Sequence, residues 1–310
     1  MYSEDKPKAR IICVLKGSKM KIILGPTSKE LGEKVAELTG FEKVPVASRV
    51  FPDGESYIRL EGTVQDEQVT IVHTTSKPQD TNLMQLAFMA NAAKRNGAKK
   101  VTAIVPYLAY ARQDKIFLDG ETVSIETVAV MLKAAGIDQL ITVNIHAETA
   151  LNKFPFPTKN LSAIPLLAEY FVGKGCKNAF ALAPDKGALY IAQQARQVLG
   201  GDAGSLEKTR DRHTGQTKQT GKHLNVNGQA VIIFDDIIST GGTIVGAAQI
   251  LKEQGAARIY TACVHGLLIG DAEKRILDAG IEEIVATDSV PGKNSKVTLA
   301  PLISEALKAL

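Results

Sequence analysis

The 310-residue chain has no tryptophan, and only 5% of its residues are aromatic. Its core must therefore be built from Ile, Val, Leu and Ala. Its three cysteines, Cys13, Cys176 and Cys263, are far apart and lack metal-ligand spacing. That excludes a disulfide scaffold or a zinc site and leaves isolated reduced thiols, as in a cytoplasmic protein. No apolar run approaches the ~20 residues of a membrane span. The short apolar piece Ile11–Leu15 falls below the ~7-residue minimum of a secretory signal core. Met20 directly precedes the first convincing strand, so residues 1–19 read as an extension. A net charge of +4 is too mild for a nucleic-acid-binding face and suits a local basic patch for an anionic substrate. What remains, 45% hydrophobic and 23% charged, is the make-up of a globular protein long enough for two domains.

Short β-branched runs alternate with helical stretches. Strands are expected at 21–24, 69–73, 101–105, 140–143, 179–183, 231–234, 258–264 and 283–286. Helices are expected at 82–96, 124–135, 163–171, 187–199, 242–253 and 302–310. This alternation predicts an α/β fold of mainly parallel sheets flanked by helices on both faces. A repeat supports two similar domains. Val69-Thr-Ile-Val-His73, a helix, then Asn96-Gly-Ala-Lys-Lys-Val101 resembles Val231-Ile-Ile-Phe-Asp235, a helix, then Gln254-Gly-Ala-Ala-Arg-Ile259. In each copy a glycine ends the helix. The expected domains are 20–162 and 163–298, joined near Pro155 and Pro157. A last helix, 299–310, is expected to pack back on the first domain.

The second copy carries Asp235-Asp236-Ile-Ile-Ser239-Thr240-Gly241-Gly242-Thr243 between a buried strand and a helix, where open α/β sheets place ligands. Two glycines let backbone amides approach an anion. The helix N-terminus and the hydroxyls of Ser239, Thr240 and Thr243 add donors. Asp235 and Asp236 can accept hydrogen bonds from neighbouring sugar hydroxyls. A phosphate cradle beside paired carboxylates describes a ribose-phosphate site. The competing explanation is helix capping, in which these polar groups serve only the backbone. The first copy has Ser76-Lys-Pro-Gln-Asp80 at this place, without the acidic pair or the glycines, so one domain should hold the sugar phosphate.

The full string resembles the phosphoribosyl-diphosphate-binding motif of the type I phosphoribosyltransferase fold. Four further segments resemble the enzymes that make that compound, the ribose-phosphate pyrophosphokinases, and archaeal members in particular. They are Phe51-Pro-Asp53-Gly54-Glu55, Tyr107-Leu-Ala-Tyr-Ala-Arg112-Gln113-Asp114, Thr142-Val-Asn-Ile-His146-Ala and Ala183-Pro-Asp185. The resemblance runs from about Lys21 to the C-terminus, including Ala300–Ala306. It is their order, more than any single segment, that carries it.

The resemblance implies transfer of the β,γ-diphosphoryl group of ATP to the 1-hydroxyl of ribose-5-phosphate, with Mg²⁺ as cofactor. Phe51, Asp53, Gly54, Glu55, Arg112, Gln113 and Asp114 would contact ATP. His146 and Asp185 would hold the metal. Lys208 and Arg210, in a charged loop, would be catalytic. Arg210, Asp235, Asp236 and residues Ser239–Thr243 would bind ribose-5-phosphate. In the family the Phe51 segment reaches a neighbour's site, which implies a homodimer or larger oligomer; neither nucleic acid nor membrane is an expected partner. The chain departs from many bacterial members at Ser239, where they carry Asp, and at Lys186, where they carry a small apolar residue. Lys186, being basic, is a candidate pyrophosphate contact. The stretch 115–123 lacks their Arg-Val-Pro pattern, which puts inherited phosphate activation and ADP inhibition in doubt. The alternatives are a phosphoribosyltransferase and a catalytically silent, synthetase-like regulatory subunit.

Overall fold

The computed structural model describes residues 20–210, 217–220 and 224–310, the side chains of 208–210 and 217–220 excepted. The extension expected over residues 1–19 lies outside the described residues.

The aliphatic runs form two parallel six-stranded sheets. In chain order the first half gives β1 (Lys21–Leu24), α1 (Lys29–Thr39), β2 (Glu42–Val44), β3 (Val46–Val50), β4 (Ser56–Leu60), β5 (Gln68–Val72), α2 (Gln79–Arg95), β6 (Lys100–Val105), α3 (Ser124–Ala135), β7 (Gln139–Val143) and β8 (Thr158–Leu161). The second half gives α4 (Ile164–Gly173), β9 (Phe180–Ala183), α5 (Leu189–Leu199), β10 (Ala203–Ser205), β11 (Glu207–Arg210), β12 (Thr217–Thr220), β13 (Ala230–Ile238), α6 (Gly242–Glu253), β14 (Arg258–Gly266), α7 (Ala272–Asp278), β15 (Ile284–Thr287), β16 (Ser295–Val297) and α8 (Ala300–Lys308). The sheet orders are β2-β1-β5-β6-β7-β8 and β10-β9-β13-β14-β15-β16, one topology used twice. The repeated glycines behave alike: Gly97 and Gly255 have φ of 84° and 79°. In each case the next amide, Ala98 or Ala256, closes back on a carbonyl five residues earlier, Ala93 or Leu251. That is a Schellman stop, which glycine allows at no steric cost.

Alternate strand residues face opposite layers, so two-sided burial demands apolar residues at every position. In β13, Ile232 and Phe234 enter the core shared with α4 and α5, while Val231 and Ile233 face α6. The shared core runs on through Phe171 to Ile22 and Leu24 of β1. Helix α8 lays Ile303 and Leu307 against Leu31 and Val35 of α1, tying the end of the chain to the first sheet.

Several elements differ from the sequence reading. Helix α1 was not expected, although Leu31, Val35 and Leu38 recur at helical spacing and Gly40 caps it at φ 71°. The β3–β4 hairpin was missed because its strands lie half exposed, outside the main sheets. Strand β13 does not end at Phe234. It continues through both aspartates, because β14 keeps pairing with it at Asp235–Cys263, Ile237–His265 and Ile238–Gly266.

One buried histidine gives a stability prediction. His73 follows β5, with Nδ1 2.9 Å from Thr27 Oγ1 and Nε2 3.0 Å from the Asn82 carbonyl. Burial lowers its pKa from 6.5 to about 4, against the smaller raising effect of the Asn82 carbonyl. Between those values the unfolded chain holds a proton that the folded chain refuses. Its contribution is therefore fully present above pH 6.5 and is lost as pH falls toward 4, by about 1.4 kcal/mol per pH unit. Urea unfolding of the wild type and of His73→Gln at pH 7 and pH 5 isolates this share. The wild type should lose about 2 kcal/mol more than the variant between those pH values; parallel losses would contradict it.

Candidate active site

The site lies between the C-terminal ends of β7 and β13. Strand β7 ends at Val143, and the chain turns at Asn144, whose φ of 39° is a left-handed conformation uncommon outside glycine. Three bonds hold that turn: Asn144 N to the Leu161 carbonyl (2.8 Å), Ala163 N to Asn144 Oδ1 (2.7 Å) and Ile145 N to Asn160 Oδ1 (3.1 Å). The turn presents His146, whose Nδ1 lies 2.7 Å from Asp236 Oδ2 on β13.

His146 is thus partnered by Asp236, while the carboxylate of Asp185, the other expected metal residue, accepts from Ala188 N at 3.2 Å, capping the short turn after β9. Among the described residues, no three or more His, Cys, Asp or Glu side chains are grouped to hold a metal by themselves.

The two aspartates are unequal. Asp236 is 9% exposed, and both its oxygens serve the protein, Oδ1 accepting from Ile237 N at 2.8 Å and Oδ2 facing His146. Burial would raise its pKa, but the hydrogen bonds from His146 and with Asp235 hold it below the ordinary value. Asp235 is pushed well above the ordinary carboxylate value by burial first, then by the charge of Asp236 beside it, with a smaller push from Asp185. His146 is raised, chiefly by its hydrogen bond to Asp236. Asp235 Oδ1 accepts from Asp236 N at 2.9 Å, and its carboxyl otherwise meets only the Asp236 side chain among the described residues, with no cation or second backbone donor beside it.

Beyond β13, Gly241 takes φ 77° and stands at the N-cap of α6, with no side chain capping that helix. A Cβ at Gly241 would come within 2.9 Å of Ile276 Cδ1, so α7 closes tightly on the loop. Ile269 N binds the Ser239 carbonyl at 3.0 Å, and Arg275 binds the Thr240 carbonyl. The hydroxyls of Ser239, Thr240 and Thr243 have no hydrogen-bond partner among the described residues. Capping therefore does not account for them; an open helix N-terminus ringed by unengaged hydroxyls remains.

The expected ATP residues divide into two places. Arg112 lines a cavity of about 50 Å³ with Tyr107, Ile145, His146, Ile237 and His265, and its charge is felt by His146. Gln113 Oε1 accepts from Ser124 Oγ, at the start of α3, and Asp114 Oδ2 accepts from Thr149 Oγ1 at 3.1 Å. Phe51, Asp53, Gly54 and Glu55 form the tip of the β3–β4 hairpin, closed by Phe51 N to the Glu55 carbonyl at 2.7 Å. The hairpin rests on α2, where Gln85 reaches Ser56 Oγ at 3.3 Å. The Phe51 ring packs under its own hairpin's Arg49 guanidinium, 4.4 Å away, and edge-on to Tyr57. No described residue of the tip bonds to His146, Arg112 or either aspartate.

Lys186 pairs with Glu207 at 3.1 Å, which joins the turn after β9 to the foot of the β11–β12 hairpin. The backbones of Lys208 and Arg210 lie on β11, paired with Gln219 and Thr217; their side chains lie outside the described residues. Sequence reading missed the partnership of His146 with Asp236, and Tyr190 of α5, whose hydroxyl is raised first by burial and then by the charges of Asp236, Glu148 and Asp235.

Residues 20–136 match the family model described as the N-terminal domain of ribose phosphate pyrophosphokinase, and residues 220–306 match the phosphoribosyl synthetase-associated domain. A ribose-phosphate pyrophosphokinase of Methanobrevibacter smithii is 41% identical over 297 residues, covering 93% of this chain and 99% of that protein. The chain belongs to the ribose-phosphate pyrophosphokinase family. A second member, from Sulfolobus acidocaldarius, is 40% identical over 93% of this chain and 99% of its own length. The crystal structure of phosphoribosylpyrophosphate synthetase from Mycobacterium smegmatis superposes with a TM-score of 0.84 at 29% identity, covering 94% of this chain and 98% of that one. The family's two-domain fold thus covers nearly the whole chain, including the site between β7 and β13.

Proposed function

We propose that this protein transfers the β,γ-diphosphoryl group of ATP to the 1-hydroxyl of ribose-5-phosphate, releasing AMP and 5-phosphoribosyl-1-diphosphate. The observation that carries the reading is the uncapped N-terminus of α6, with three hydroxyls that have no partner among the described residues and Asp235 on the strand that leads into it. In a chain about 40% identical to ribose-phosphate pyrophosphokinases along almost all of their length, that arrangement suits a sugar phosphate. Ser239, Thr240, Gly241, Gly242 and Thr243 would hold the 5-phosphate. Asp235 would accept from a ribose hydroxyl, and Asp236 would act mainly through His146.

The donor set fits Mg²⁺. His146 is held at Nδ1 by a carboxylate, which leaves Nε2 as the nitrogen for a ligand, and Asp185 and Asp235 lie close enough to interact electrostatically. Few direct protein ligands and several oxygens suit an ion that keeps much of its water. When bound, Mg²⁺ supplies charge neutralisation on the triphosphate. Arg112 would stabilise the nucleotide phosphates. Lys208 and Arg210 would meet the negative charge that builds on the transferring group. Lys186, freed from Glu207, would reach the diphosphate.

The test is AMP formation from ATP. It should require ribose-5-phosphate and Mg²⁺ together, with less than one-hundredth of the rate when either is omitted. AMP release independent of ribose-5-phosphate would overturn the reading.

The hairpin tip is carried on α2 and, among the described residues, has no bond to His146, Arg112, Asp235 or Asp236, which supports an ATP site shared between subunits. A Glu55 variant and a Lys208 variant, each inactive, should then regain part of the activity when mixed under conditions of subunit exchange. No recovery despite demonstrated exchange would place the whole site within one chain. Two unpaired, buried cysteines, Cys176 and Cys263, agree with a cytoplasmic setting.

A further inference from the structure

A fully enclosed histidine joins the two domains directly beneath the site. His265 lies on β14, 2% exposed, opposite Ile237 in the register and so beside Asp236. Its Nε2 reaches across to the first domain, 3.0 Å from the Val143 carbonyl and 3.3 Å from the Asn144 carbonyl. Its Nδ1 lies 2.8 Å from Ser289 Oγ, and the Tyr107 ring meets it edge-on at 5.1 Å.

We infer that His265 is a positioning residue that sets His146 against Asp236 by fixing the end of β7 to β14. The first domain offers two attachment points three residues apart, the Val143 carbonyl and the His146 ring. The second domain meets them from adjacent strands, with His265 on β14 and Asp236 on β13. Two points fix both the position and the tilt of the turn that bears His146, where one would leave it free to rock. The bond from Asn160 holds this turn to its own domain and the bond from Ala163 ties it to the head of α4 at the domain boundary, whereas His265 reaches it from the second sheet itself.

The chemistry suits a fixed strut. Nε2 faces two carbonyls and must carry the proton. Nδ1 faces the Ser289 hydroxyl, whose single proton can turn either to Nδ1 or to the Val264 carbonyl 2.7 Å away. Burial holds the ring neutral, its pKa lowered to about 4, although Asp236 pulls it upward and Arg112 pushes it down. A neutral donor binds two carbonyls without bringing a second positive charge beside His146.

This inference rests on the reading of His146 as a residue of the metal site, and the experiment separates the two. Mn²⁺ binding is measured by water-proton relaxation with ribose-5-phosphate saturating, a readout that requires no turnover. His265→Leu should weaken Mn²⁺ about 10-fold, as loss of an orienting partner does. His265→Gln, whose amide can still reach the Val143 carbonyl, should stay within about threefold. In a His146→Ala background, already weakened, His265→Leu should add less than twofold, because its effect runs through His146. The inference is overturned if His265→Leu alone changes affinity less than twofold, if the Gln and Leu variants lose equally, or if the two losses simply add. If His146→Ala itself leaves Mn²⁺ affinity unchanged, the metal reading fails, and the inference falls with it for that separate reason.

Discussion

Lys208→Ala should lower kcat at least 100-fold while leaving the KM values for ATP and ribose-5-phosphate within about threefold. Transfer of a diphosphoryl group needs little covalent help from protein. What it needs is positive charge where the reacting oxygens gather negative charge, and a donor aimed at that point contributes about 3 kcal/mol. Lys208 stands on β11, next in sequence to Glu207, which Lys186 holds from the turn after β9. That places the residue on a two-stranded hairpin outside both main sheets. Such an element can close over reactants without disturbing either core, so the charge would act mainly in the closed state. A loss seen in KM rather than kcat would assign Lys208 to ground-state binding. A kcat within threefold of the wild type would remove it from the chemistry.

Asp235→Ala should raise the KM for ribose-5-phosphate by roughly 10- to 100-fold and change that for ATP by less than threefold. A hydrogen bond from a sugar hydroxyl to a carboxylate contributes about 1.5–3 kcal/mol. Asp235 meets only its neighbour Asp236 among the described residues, whereas Asp236 is also occupied by Ile237 N and His146. The structure thus divides a pair that looks equivalent in sequence. Asp236→Ala should instead damage the response to Mg²⁺, because it releases His146. An equal rise in both KM values for Asp235→Ala would point to collapse of the loop.

The fold was legible wherever burial was two-sided. Strand β1 and helices α3 and α6 fall where the apolar pattern and the glycine stops put them. The repeated Gly-Ala at residues 97 and 255 pointed to the duplication that the two sheet orders display. The β3–β4 hairpin was not legible, since its strands have no continuous apolar run and pair only with each other. Its tip, Phe51 to Glu55, was nonetheless singled out, by its resemblance to a family segment rather than by any strand pattern around it. The loop Ser239–Thr243 was legible as a unit because its glycines and hydroxyls are consecutive in sequence. The His146–Asp236 pair and the His265 strut were not, since they join residues 90 and 122 positions apart across a domain boundary. No local pattern encodes which carboxylate a distant histidine will meet.

The central claim is that the β,γ-diphosphoryl unit moves intact to the anomeric hydroxyl. Its most direct test is ³¹P NMR of a mixture of the enzyme, MgATP and ribose-5-phosphate followed to completion. The expected products are AMP and a sugar bearing a 5-phosphate and a 1-diphosphate, in equal amounts and without ADP. Accumulation of ADP with a bisphosphorylated sugar would show transfer of a single phosphoryl group and contradict that claim.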